Sequence, residues 1–360
     1  MAGRGVPPEG TPEGLPGGGD DEYRSVVFDE SFVRAARLQE LSAQERMREH
    51  AQAVRSRPSW SLRASSKPAI ALVLLLLIAF STAIYMGVRH PYVPPATSHP
   101  DTMRMTVVPL APQGPVPGGD AEQLFAHSPA AAYRTGDAGI TLPPATKTAH
   151  FSEAQVMDAL SIARDYLIKS SLDPAVLAGG PARQIRVLLD PDLMGQFDQS
   201  LAAPADDGRH AATGWLVRFD PAKVALADPH IRVQGAMTYS EVGSDALDVS
   251  TDYVFVYALR PAGDGPHAGD ASLFMVRREV HFRLDSEDLR LDRTEVQASV
   301  VEAGPQACSA DLAGRLVPLL AGQRASAQGP VATDPYATGP APEGFCATLA
   351  TGAQPSTPAG

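Results

Sequence analysis

Cysteine is scarce in this chain of 360 residues: only Cys308 and Cys346 are present. No CxxC pair exists, so the usual zinc-ligand spacing is missing. No cysteine precedes residue 308, which also removes a zinc-type anti-sigma motif from the N-terminal part. The sequence has no HExxH, no GxSxG, no Walker loop and no GxGxxG following a strand pattern. Metalloprotease, nucleophile-elbow hydrolase and nucleotide-binding chemistry therefore lack their signatures. Excess positive charge is absent as well. The formal net charge is −11, and the part beyond residue 90 is acidic overall, which argues against nucleic acid as a ligand of that part. Residues 1–20 are rich in Pro and Gly and nearly without bulky apolar side chains, so they are expected to stay disordered.

Charge of either sign is missing from one long stretch, AIALVLLLLIAFSTAIYMGV, residues 69–88. About twenty apolar residues are what a helix needs to cross a bilayer core, and a transmembrane helix is expected there. Arg55, Arg57, Arg63 and Lys67 lie on its N-terminal side, against Arg89 and Arg104 on the other. The positive-inside bias then puts the N-terminus in the cytoplasm and the C-terminal part outside. This reading gives a single-pass protein of the cytoplasmic membrane, in which both cysteines lie in an oxidising compartment; a disulfide is the default reading there, with two free thiols as the alternative.

Residues 21–67 form a basic segment after the acidic start. Asp29 or Ser31 caps a helix that runs toward Pro58, with Phe32, Val33, Ala36 and Met47 on one apolar stripe and Phe28 just before it. A cytoplasmic region this short cannot build a core of its own. The stripe calls for a protein groove, a second copy of the same helix, or the membrane surface drawn by the arginines; the alternative is a marginal helix whose arginines serve topology alone. Residues 89–148 carry eleven prolines from Pro91 to Pro144 and read as a semi-extended stalk.

A head domain is expected over 149–303. Ser152 and Gln155 form a capping-box pattern, with Phe151 and Val156 as a hydrophobic staple, opening a helix to about Ser170. Asp173-Pro174 and Asp190-Pro191 read as two further helix starts, with a strand over Gln184–Leu189 between them. The period then changes to two. Strands are expected at Thr213–Phe219, Ile231–Tyr239, Leu247–Leu259, Phe274–Leu284 and Glu295–Val301. A helix followed by long antiparallel strands is an α+β pattern, which a cystatin-like or NTF2-like curved sheet satisfies. Ser309 caps a short helix through Leu320, and residues 304–360 form a tail tethered by the disulfide.

The polar residues of the head have ordinary explanations. Asp190 and Asp192 fit helix capping, Asp206-Asp207 with His210 fits a solvated turn, and His281 fits a paired surface histidine. Trp215, Tyr253 and Tyr257 are candidates for lining a ligand pocket in a curved sheet, with simple core packing as the alternative. No catalytic residue, metal site or cofactor is expected.

The run DDEYRSVVFDESFVRAARLQELSAQERM, residues 20–47, resembles the N-terminus of a family of Streptomyces-type actinobacterial membrane proteins. Its members share an Arg-rich juxtamembrane segment, one span, a Pro-rich stalk and an extracellular domain, and some are linked with spore-wall synthesis. The resemblance implies a non-enzymatic accessory or scaffold of cell-wall assembly, whose partners are wall-synthesis or morphogenetic membrane proteins. Two other readings stand beside it: an extracytoplasmic ligand- or wall-sensing domain, and an enzyme acting on wall polymers.

Overall fold

The prolines between Pro109 and Pro144 do not build a stalk. In the computed structural model, which describes residues 67–89, 102–264, 268–326, 332–337 and 345–356, this region supplies a strand to the interior of a sheet. The chain divides into two units, Met1–Tyr92 and Val93–Gly360. The described part of the first is helix α1, Lys67–Arg89.

In α1 the side chains are described over 71–82, and all of them are exposed. Among the described residues no helix is long and apolar enough to cross a membrane. The expected fold class, a membrane-anchored α+β protein with one transmembrane helix and a stalk, is thereby corrected to a mixed α/β unit built on an eight-stranded sheet.

The second unit opens with β1, Arg104–Ala111. Its Met105 and Val108 to Ala111 are buried, as are Met103 before it and Phe125 in α2, Ala121–Ala126. Pro109 is tolerated in β1 for a local reason. It pairs with Ala303 on one side, while the neighbour on the other side begins only at Leu110, so its missing N–H breaks no ladder. The remaining prolines of this stretch sit outside the strands; Pro129 starts a 3₁₀ turn capped by Ser128.

A two-residue strand β2, Arg134–Thr135, comes next, followed by the long helix α3, Glu153–Ser171. The capping box expected from sequence is formed by Ser152 and Gln155. Short helices α4, Pro174–Leu177, and α5, Arg183–Arg186, lead to α6, Pro191–Ala202, with Asp173 and Asp190 as the caps of α4 and α6. Helix α7, Ala212–Trp215, is a single turn. Strands β3, Val224–Val242, β4, Ala246–Pro261, and β5, Ser272–Asp285, form a meander, followed by α8, Ser286–Leu291, and β6, Glu295–Gly304. Strands β7, Ala332–Thr333, and β8, Ala347–Leu349, complete the sheet.

The spatial order is β2-β3-β4-β5-β6-β1-β8-β7. Strands β2 through β6 run antiparallel, whereas β1 is parallel to both β6 and β8, and β7 to β8. The sheet is therefore mixed rather than wholly antiparallel. Alternation along β4 builds two cores. Leu247, Val249, Tyr253, Phe255, Tyr257 and Leu259 meet α3 through Leu160, Ala163, Tyr166 and Leu167 on one face. Val254, Val256 and Ala258 meet Phe125, Leu110 and Leu349 on the other. Each buried Leu or Phe contributes about 1.5–3 kcal/mol, so both layers hold the sheet.

Three local expectations change. Thr213–Phe219 begins as the turn α7 rather than a strand, Gln184–Leu189 begins inside α5 and keeps only a single bridge from Leu189 to Thr294, and 309–320 has no helix.

Candidate functional site

Beside the N-terminal end of β3 the unit opens into an apolar cleft of about 740 Å³, within the range of small-molecule sites. One wall is the turn into β3. Lys223 N and Val224 N both donate to Asp220 O at 2.9 Å, and Val224 pairs with Pro261 at the end of β4. The other wall is the segment from Asp311 to Gln323, which contributes Leu316, Val317, Pro318, Leu319 and Leu320. Pro318 cannot donate, and the neighbouring N–H groups are taken singly. Leu316 N donates to Arg218 O, Leu319 N to Pro305 O, Val317 N to Gln306 Oε1 and Leu320 N to Gln323 Oε1. The segment is thus fixed in an extended course with its leucines along the cleft.

Charge gathers at this cleft. Arg315 Nη1 lies 3.3 Å from Asp220 Oδ2. Arg218 stands behind them, donating to Gly179 O at 2.7 Å, with its Nε buried and unpartnered. Burial, reinforced by the charge of Arg315, lowers the Arg218 pKa. Among the described residues no carboxylate stands within ion-pair distance of Lys223.

The face of the sheet opposite α3 carries a second polar array. Arg277 donates twice to Asp252, at 2.9 and 2.8 Å, and once to Glu302 at 3.1 Å. Glu302 is buried, its Oε2 has no hydrogen bond, and burial raises its pKa. One row along, Ser250 Oγ lies 3.0 Å from His281 Nδ1, and His281 Nε2 lies 3.1 Å from Glu279 Oε1. Ser–His–Glu is the order of a nucleophilic triad. However, β4 and β5 are interior strands whose N–H groups serve the ladders on both sides, and the Arg277 guanidinium is engaged by Asp252 and Glu302. Backbone donors of the kind that form an oxyanion hole are thus committed elsewhere, and the array ties neighbouring strands together. At the far end, Asp288 completes a capping box with Asp285. Burial, with Asp285, Asp190 and Glu295 nearby, pushes its pKa up to about 7.

The predicted pocket aromatics are core. Trp215, Tyr253 and Tyr257 are fully buried. Trp215 Nε1 donates to Ser200 Oγ at 3.0 Å, Tyr253 Oη to Thr141 O at 3.2 Å and Tyr257 Oη to Ser171 O at 2.8 Å. None of the three lines the cleft. Cys308 and Cys346 form the expected pair, with Cα atoms 5.5 Å apart. Phe28, Phe32, Val33, Ala36, Met47, Arg55, Arg57 and Arg63 lie outside the described residues, and Lys67 is the first residue of α1. Sequence reading missed the cleft because its wall looked like a helix capped by Ser309. The dense repeat Leu316-Val317-Pro318-Leu319-Leu320, with a proline in mid-run, was the available signal against that helix.

Compared with protein-family models, with curated proteins and with solved structures, the chain matches none.

Proposed function

We propose that this chain is a non-enzymatic protein of the cell envelope, an accessory or scaffold in the assembly of an actinobacterial cell wall or spore wall. In this reading the basic segment 21–67 engages a partner through Phe28, Phe32, Val33, Ala36 and Met47, and the folded unit works on the outer side of the cytoplasmic membrane. One observation carries the reading. Over α1 the large apolar side chains stand open, with Leu72 65 % and Phe80 67 % exposed. A surface of this kind needs lipid or an apolar partner to cover it, and a chain that combines it with a folded unit attaches that unit to something larger. The Cys308–Cys346 pair supports an oxidising compartment for the folded unit. The resemblance of residues 20–47 supplies the cellular setting.

Changing both Phe32 and Met47 to Asp is expected to abolish partner recruitment while the protein stays in the membrane fraction. Recruitment unchanged by the double substitution would contradict the docking role. A second reading, a ligand-sensing outer unit, is favoured by the apolar cleft beside β3.

A further inference from the structure

The cleft beside β3 has a wall chemistry that selects among ligands, and the inference drawn from it rests on the ligand-sensing reading. Its apolar lining is aliphatic throughout: Val224, Pro261, Leu316, Val317, Leu319 and Leu320. Among the described residues no aromatic side chain lines it, and so none of them supplies the flat platform on which bases and aromatic groups stack. An aliphatic wall matches an aliphatic chain, at about 0.8 kcal/mol per buried methylene.

The polar lining is equally selective. Lys223 faces the cleft without a carboxylate partner among the described residues. Arg315 holds Asp220 through a single 3.3 Å contact and is about half exposed, so its remaining donors are open to a ligand. Arg218 behind them has no carboxylate partner among the described residues and adds a third positive charge. Opposing these are Asp220 and Asp311, and Asp311 already accepts from Ala313 N at 3.1 Å. Lys223 and Arg315 balance Asp220 and Asp311 along the lining, so Arg218 behind them leaves a local excess of one positive charge in a chain of net charge −11, which favours an anion over a cation.

We propose that this cleft binds a single-chain lipid anion: an acyl chain lying along Val317 and Leu319, the accessible apolar side chains of its wall, with its carboxylate head on Lys223 and Arg315. The head gains charge-assisted hydrogen bonds, and the chain gains burial.

The test uses the full chain and sodium dodecanoate below its micelle concentration, read by titration calorimetry with dodecanol and dodecyltrimethylammonium as matched probes. Dodecanoate is expected to bind at least 10-fold more tightly than dodecanol. The double variant K223E/R315E is expected to lose at least 10-fold in dodecanoate affinity and to prefer dodecyltrimethylammonium. That exchange of head-group preference is a gain that a misfolded variant cannot show. Equal binding of dodecanoate and dodecanol would overturn the anion assignment while leaving a chain-binding cleft. Dodecanoate binding that K223E/R315E leaves unchanged would place the site elsewhere, on the exposed apolar residues of α1 for example. Failure of all three probes to bind would overturn the ligand-sensing reading itself.

Discussion

Arg278 is fully buried in the middle of β5, with no carboxylate beside it among the described residues. Its guanidinium donates to Ser170 Oγ and Ser171 Oγ at the end of α3, and to Gly214 O and Trp215 O of α7, at 2.7–3.1 Å. Burial lowers its pKa, and the flanking Tyr166 and Tyr257 hydroxyls offset part of that. One cation therefore joins a strand, a helix end and a turn whose carbonyls have no ladder. R278A removes a donor from each of these groups and leaves a buried void where the side chain stood, although Gly214 O and Trp215 O keep Ser299 Oγ and Tyr166 Oη; about 3–5 kcal/mol of stability is expected to be lost, as read from urea unfolding. Asp288 works in the opposite sense. Its folded pKa of about 7 stands above the ordinary value of 3.8, so the fold favours the protonated form. The stability it supplies is complete below pH 4 and is lost as pH rises through 7. Asn keeps the oxygen that accepts from Asp285 N and carries no charge. D288N is expected to exceed the parent by about 1–2 kcal/mol at pH 8, after allowance for solvent screening, and the gap should close toward pH 4. A gap that is constant with pH would show that Asp288 titrates normally.

At the scale of elements, the β3–β4 ladder depends on a close approach at Gly235. A Cβ there would lie 2.2 Å from Asp252 O and 2.6 Å from the Tyr253 Cα. G235V is expected to cost more than 2 kcal/mol through forced separation of the strands, visible as a lower midpoint in thermal unfolding. The disulfide closes a loop across a separation of 38 residues that holds β8 against β1. Replacing both cysteines by Ser is expected to remove about 3–4 kcal/mol and to speed hydrogen exchange in Ala347–Leu349 first. Much of this architecture was legible in the sequence. The box at Ser152/Gln155 marks α3, Asp173 and Asp190 before proline mark α4 and α6, and strict alternation marks β3 to β6. Three elements were not legible, each for a physical reason. Proline density hid β1, because a proline next to an unpaired stretch of strand reads in sequence like one in a linker. The run Thr213–Phe219 has strand-like composition, but all seven positions except Arg218 are buried and Arg278 takes its carbonyls, so no ladder is required. Residues 309–320 have helical spacing, and contacts with Arg218, Pro305 and Gln306 hold them extended. The candidate cleft was therefore illegible, since it exists only because that segment is not a helix.

On the scale of the whole molecule, two features call for something outside the chain. Helix α1 exposes Leu72 to Ile78 and Phe80, each more than half, and the second unit opens a cleft whose cations run against the net charge of −11. We propose that the two serve one function, in which the N-terminal segment gathers partners at the envelope and the folded unit responds to a ligand. The most direct test is in-cell crosslinking with affinity capture. It compares the full chain with a version that lacks residues 20–57 and keeps Arg63, Lys67 and residues 69–88. The account predicts that wall-synthesis or cytoskeletal proteins are captured by the full chain alone. Identical captures from both forms would contradict it and move the function to residues beyond the N-terminal segment.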